Sequence, residues 1–94
     1  MWAMLVLALS AGPPAVTPTD ERRVGAVAEA LPAGPYCYVR LEGPDWLATL
    51  GACPAVAARV QARIFGWRQD HASARLGRRF ERVGFATLTM ESNP

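Results

Sequence analysis

The sequence predicts a small α/β domain of two or three strands and three or four helices. Three observations carry that expectation. Apolar residues recur at helical spacing over residues 24–31 and 72–83, they alternate over residues 36–42 and 85–90, and Pro and Gly punctuate the chain between these stretches. A chain of 94 residues holds one domain, and a domain that small buries roughly 60 to 65% of the surface its unfolded chain exposes. With 51% of its residues apolar, the chain has enough material for a packed core and does not read as disordered throughout.

Taken in order, Gly12, Pro13, Pro14 and Pro18 disfavour both helix and paired strand. An apolar N-terminal segment and Pro-rich linker (residues 1–18) is therefore expected before a single small α/β domain (residues 19–94). Thr19 or Asp20 caps a helix whose stripe is Val24, Val27, Ala28 and Leu31, and Pro32 and Pro35 stop it. Over residues 36–42, Cys37, Val39 and Leu41 point one way while Tyr36, Tyr38, Arg40 and Glu42 point the other, as in a half-buried strand. Gly43 and Pro44 turn the chain. Residues 45–50 read as a short helix ending at Gly51, and Pro54 as the first residue of another.

Residues 56–67 fit two periods. Val56, Val60 and Ile64 lie on a helical stripe, whereas Val60, Ala62, Ile64 and Gly66 alternate with Gln61, Arg63 and Phe65 as in a strand. Asp70 or Ser73 then caps a helix with Ala72, Leu76, Phe80 and Val83 on one face and Arg75, Arg78, Arg79 and Arg82 largely off it. Gly84 stands where a left-handed residue ends a helix, with Phe85 folding back on the last turn. Residues 85–90 alternate as a final strand before a polar tail.

Charge is uneven along the chain. Residues 1–52 carry three Arg against five acids (net −2) and residues 53–94 carry seven Arg against three acids (net +4), so the C-terminal half suits an anion or a solvated basic helix face. Every basic residue is Arg, and Ala, Gly and Pro are frequent, which matches a GC-rich coding bias; the Arg count is not read as a nucleic-acid signal. Cys37, Cys53 and the single His71 give no recognisable zinc pairing. Residues 2–9 are apolar and are followed by Ser10, Ala11 and Gly12, as at a secretory cleavage site, but the run is far shorter than the roughly 20 residues that span a bilayer.

Three blocks carry a family resemblance. RVQARIFGW at residues 59–67, ASARL at 72–76 and ERVGF at 81–85 stand in the order of the run R-V-x-A-x-V-F-x-W-N-x-A-S-x-R-V-L-E-K-x-G-F. That run resembles the GNAT-type N-acetyltransferases closest to those that modify ribosomal-protein N-termini. The resemblance covers the C-terminal half of such an enzyme and implies a partial or degenerate GNAT-like unit with a strand over residues 59–67. It implies acetyl-CoA as cofactor, an amine as substrate, and self-association or a complementing chain for the missing half. In that family a Gly-rich loop at a helix N-terminus holds the pyrophosphate, which assigns cofactor contacts here to Gly51, Ser73 and Arg75. Many members supply the acid for the leaving thiolate from a Tyr where this chain has Phe80, so turnover is expected to be very slow or nil.

On this reading the protein is cytoplasmic and both cysteines are free thiols. The alternative is a small exported protein with a Cys37–Cys53 bridge that binds a partner through its basic helix. A third reading, a helix-turn-helix, rests on Leu47 to Gly51 followed by Val56 to Val60, with spacing off by one residue on each side of the turn.

Overall fold

The structure, a computed structural model, describes residues 16–91, and these contain six strands and no helix. The strands are β1 (Thr17–Ala26), β2 (Glu29–Ala33), β3 (Tyr36–Arg40), β4 (Trp46–Leu50), β5 (Arg59–Ser73) and β6 (Arg78–Met90). They form one sheet in the order β1-β5-β6-β4-β3-β2, antiparallel throughout except for the parallel β4–β6 pair.

The two ends of that order are neighbours in the chain, so the sheet curls back on itself. At the junction the Val27 N–H donates to the Ala58 carbonyl at 2.9 Å, and the Ala28 N–H donates to the Arg40 carbonyl at 2.8 Å. β1 and β2 are therefore two halves of one bent strand that pairs with β5 on one side and β3 on the other. Counted this way, the barrel has five strands in the order 1-2-3-5-4-1 with the third and fifth parallel, the connectivity of the OB-fold. Shared connectivity speaks to fold and not to activity.

Alternation explains what fills the barrel. Val39 and Cys37 of β3, Leu47 of β4, Val60, Ala62 and Ile64 of β5 and Ala86 of β6 point inward, with Val27 and Trp67 closing the packing. A β-bulge at Phe65 shifts the β5 phase by one residue, so Ile64 and Trp67 both face in while Phe65 faces out. A second cluster lies outside the barrel, where Tyr38, Trp46, Ala48, Phe80 and Val83 pack together.

The α/β expectation is thereby corrected to an all-β fold, and the helix-bearing GNAT architecture and the helix-turn-helix go with it. The stripe of residues 24–31 is spread over the end of β1, the junction at Val27 and Ala28 and the start of β2, and Val24, one of its anchors, is 48% exposed. Residues 45–50 hold β4, and the chain from Pro54 to Ala58 is loop. The helix expected from Asp70 or Ser73 is the β5–β6 hairpin, whose turn at residues 74–77 uses the positive φ of Gly77. Gly84 is not a left-handed helix stop; it lies in β6 against the interior.

The strand expected over residues 36–42 is present as β3, two residues shorter; the strand implied over residues 59–67 is the first part of β5, and β6 contains the final strand expected over residues 85–90. The expected N-terminal segment falls on residues 1–15, outside the described residues, and β1 already begins at Thr17 within the expected linker. Cys37 and Cys53 are joined in a disulfide, which corrects the free-thiol expectation. The bridge ties β3 to the loop between β4 and β5.

Candidate functional site

The β5–β6 hairpin runs past the barrel and folds over its outer face. In the sheet β5 is separated from β3 by β6 and β4, yet His71 Nε2 of β5 and the Tyr38 hydroxyl of β3 are hydrogen-bonded at 2.8 Å. Phe80 stacks on Tyr38 with ring centroids 5.2 Å apart, and Arg78 lies 4.6 Å from the Phe80 centroid and 5.1 Å from that of Trp46. The arm thus covers Tyr38 and Trp46 and leaves the remainder of the face open.

That open part holds two clefts that share Tyr36. The larger, about 520 Å³, is floored by Ala48, Thr49 and Ala86 and walled by Tyr36, Leu50, Phe65 and Phe85. The smaller, about 350 Å³, lies between the β2–β3 turn and the hairpin tip and is lined by Tyr36, Tyr38, His71, Ser73 and Arg75 among others. Tyr36 is 43% exposed, Leu50 71% and Phe65 57%. Single exposed apolar side chains are ordinary, but three around one cleft form a patch that water covers at a cost.

Electrostatics give the groove a sign. No Asp or Glu lines either cleft. Among the described residues six arginines are ion-paired, and Arg68, Arg75 and Arg78 on the hairpin arm have no carboxylate within salt-bridge distance. Arg68 lies 5.8 Å from the Phe85 ring centroid, and its Nε is buried without a hydrogen-bond partner. Burial pushes the His71 imidazole below its ordinary value, and the nearby Arg68 charge pushes it further the same way.

A third cleft, of about 340 Å³, lies beside Asp45, whose carboxylate is already engaged by arginines. The Asp45 carboxylate accepts from Arg82 Nε and Nη2 at 3.0 and 2.9 Å and from Arg23 Nη1 at 2.9 Å. These bonds, Arg82 first, hold it below the usual carboxylate range against the opposing effect of burial. Both guanidiniums lie over Trp67, whose Nε1–H donates to Glu21 at 3.2 Å.

The sequence-predicted cofactor residues are partly brought together. Ser73 and Arg75 line the smaller cleft, while Gly51 stands in the turn after β4 and donates its N–H to the Pro35 carbonyl at 2.8 Å, beside that cleft. Ser73 is 8% exposed and its Oγ accepts the Leu76 N–H at 3.3 Å, so it caps a hairpin turn and not a helix. Arg75 rests on the β2–β3 turn, where a Cβ built on Gly34 would stand 2.6 Å from its Cζ and Nε. The described residues supply no helix N-terminus for a pyrophosphate. Of the cleft's exposed residues, Phe65 is legible from the out-facing phase it shares with Gln61 and Arg63, whereas the helix expected over residues 45–50 gives no such signal for Leu50. No family model, curated protein or solved structure matches the chain.

Proposed function

We propose that the protein is a small exported binding module, pinned by the Cys37–Cys53 bridge, that captures a partner on the outer face of its barrel. The reading is carried by the clustering of Tyr36, Leu50 and Phe65, all exposed, around one apolar cleft, whereas the exposed Val24 lines no cleft. The disulfide supports an oxidising compartment, and the apolar run at residues 2–9 with its small-residue boundary supports export. The groove takes the place of the basic helix in this account.

A fragment screen followed by backbone amide shifts tests the site. Fragments carrying aromatic rings are expected to shift amides of Tyr36, Leu50, Phe65, Phe85 and Thr87 together. Hits scattered over other surfaces, or confined to the Asp45 cleft, would remove the assignment. Fusion of the chain to a phosphatase that folds only in an oxidising compartment tests export separately.

A further inference from the structure

We infer that the groove takes an extended peptide segment in which a large apolar side chain is flanked on one side by carboxylates. The inference rests on the binding-module reading and adds the chemistry of the partner. The apolar cleft walled by Tyr36, Leu50, Phe65 and Phe85 is the place for the apolar side chain. Its rim leads toward cations. Arg68 lies against Phe85, His71 meets the same ring edge-on at 6.1 Å, and Arg75 lines the smaller cleft beyond Tyr36.

Neither Arg68 nor Arg75 is ion-paired within the described residues. Asp20, Glu21, Glu29, Asp45, Asp70 and Glu91 are all paired with other arginines, and Glu42 and Glu81 lie outside salt-bridge distance of Arg68 and Arg75. The Arg68 Nε is buried without a hydrogen-bond partner and no carboxylate pairs with its guanidinium, so a carboxylate drawn to that side chain adds a charge-assisted contact that the described residues do not supply. Gly34 leaves the room in which the Arg75 guanidinium lies, since a Cβ there would stand 2.6 Å from it.

The same observations favour a peptide over a nucleic-acid strand. Single strands carry a phosphate at every step and bind proteins that line a groove with cations and lay flat rings in series. Here Arg68 lies against one wall of a single apolar cleft and Arg75 lines the neighbouring one, a pattern that matches one buried side chain and a pair of carboxylates.

The test uses the full, disulfide-bonded chain against a random peptide library displayed on phage. Recovered peptides are expected to share Leu, Phe or Trp next to two or more Asp or Glu. Fluorescence anisotropy with the best recovered peptide should then show binding weakened about tenfold or more by Leu50→Asp and by Arg68→Gln or Arg75→Gln, and weakened by added salt. Arg75→Lys should restore part of the loss, and circular dichroism confirms that each variant keeps its strands. Recovery of peptides without acidic residues, or unchanged binding in the Arg variants, overturns the inference. So does tighter binding of an oligothymidylate than of any recovered peptide, or a dimer in sedimentation that Leu50→Asp dissociates. If these fail while aromatic fragments still shift the groove amides, the peptide is wrong and the binding site stands.

Discussion

Protonation of His71 changes what a single side chain can do for its neighbours. A neutral imidazole either accepts from the Tyr38 hydroxyl or donates to it, whereas an imidazolium only donates and must be buried with its charge beside Arg68. Because the folded value lies below the ordinary 6.5, both states are neutral above 6.5 and the group costs nothing there. As pH falls below 6.5 the unfolded chain takes up a proton that the folded chain refuses, so stability declines until pH has passed through the folded value. Urea unfolding of the wild type should show that decline in mildly acid solution, and His71→Gln should flatten it; a proton NMR titration with His71 at its ordinary value would contradict the expectation. Asp45 makes the opposite demand. Its Arg23 and Arg82 partners lie over Trp67, and Asp45→Asn takes the charge from the centre of that cluster, for a loss of about 2 kcal/mol. That loss should persist at neutral pH and shrink in acid as the wild-type carboxylate is itself protonated, which separates it from the His71 effect.

At the scale of elements, the Cys37–Cys53 bridge links a core strand to a loop with no regular structure. Closing a loop of 16 positions in the unfolded chain contributes about 3 kcal/mol, and a small barrel has little reserve. The double variant Cys37→Ala/Cys53→Ala should lose about that much in urea unfolding, and alkylation without reductant should label neither cysteine of the wild type. Labelling of both would show that the bridge is not formed. The elements themselves were unequally legible. β3 declared itself, since Cys37 and Val39 are inside and Tyr36 outside in strict alternation. β1 was hidden because its inward phase carries Glu21 and Arg23, whose burial is compensated by Trp67 and Asp45, residues distant in sequence. The β5–β6 hairpin was hidden because Leu76, Phe80 and Val83 fall at helical spacing by chance of the turn, and a single Gly77 does not outweigh a stripe. The site was legible only in part: Ser73 and Arg75 do line a cleft, but the fold of the hairpin arm over β3 is what makes them neighbours of Tyr36.

For the whole molecule, packing of the barrel depends on how closely the interior side chains of β4 and β5, the strands that flank β6, close over Gly84. Gly84 sits in β6 with its missing side chain aimed inward, and a Cβ there would stand 2.9 Å from Leu47 Cδ2, 3.0 Å from Ile64 Cγ2 and 3.0 Å from Trp67 Cζ3. Leu47 and Ile64 are wholly buried and belong to different strands, so neither has room to turn away. Trp67 is held too, with Arg82 3.8 Å from its ring centroid and its Nε1–H bonded to Glu21. Ala at Gly84 therefore spreads β4, β5 and β6 together, which should cost about 1 to 3 kcal/mol. Gly25 is the control. It lies in β1, its Cβ would meet Leu41 at an ordinary 3.8 Å, and Ala there only removes backbone freedom from the unfolded chain, for a neutral or slightly positive effect of about 0.5 kcal/mol. Urea unfolding of the two variants compares a tight contact inside the barrel with one at ordinary van der Waals distance, with the glycine-to-alanine chemistry held constant. Equal stabilities would mean that the interior has slack at β6, and that the sheet order does not close into a packed barrel around Leu47, Ile64 and Trp67.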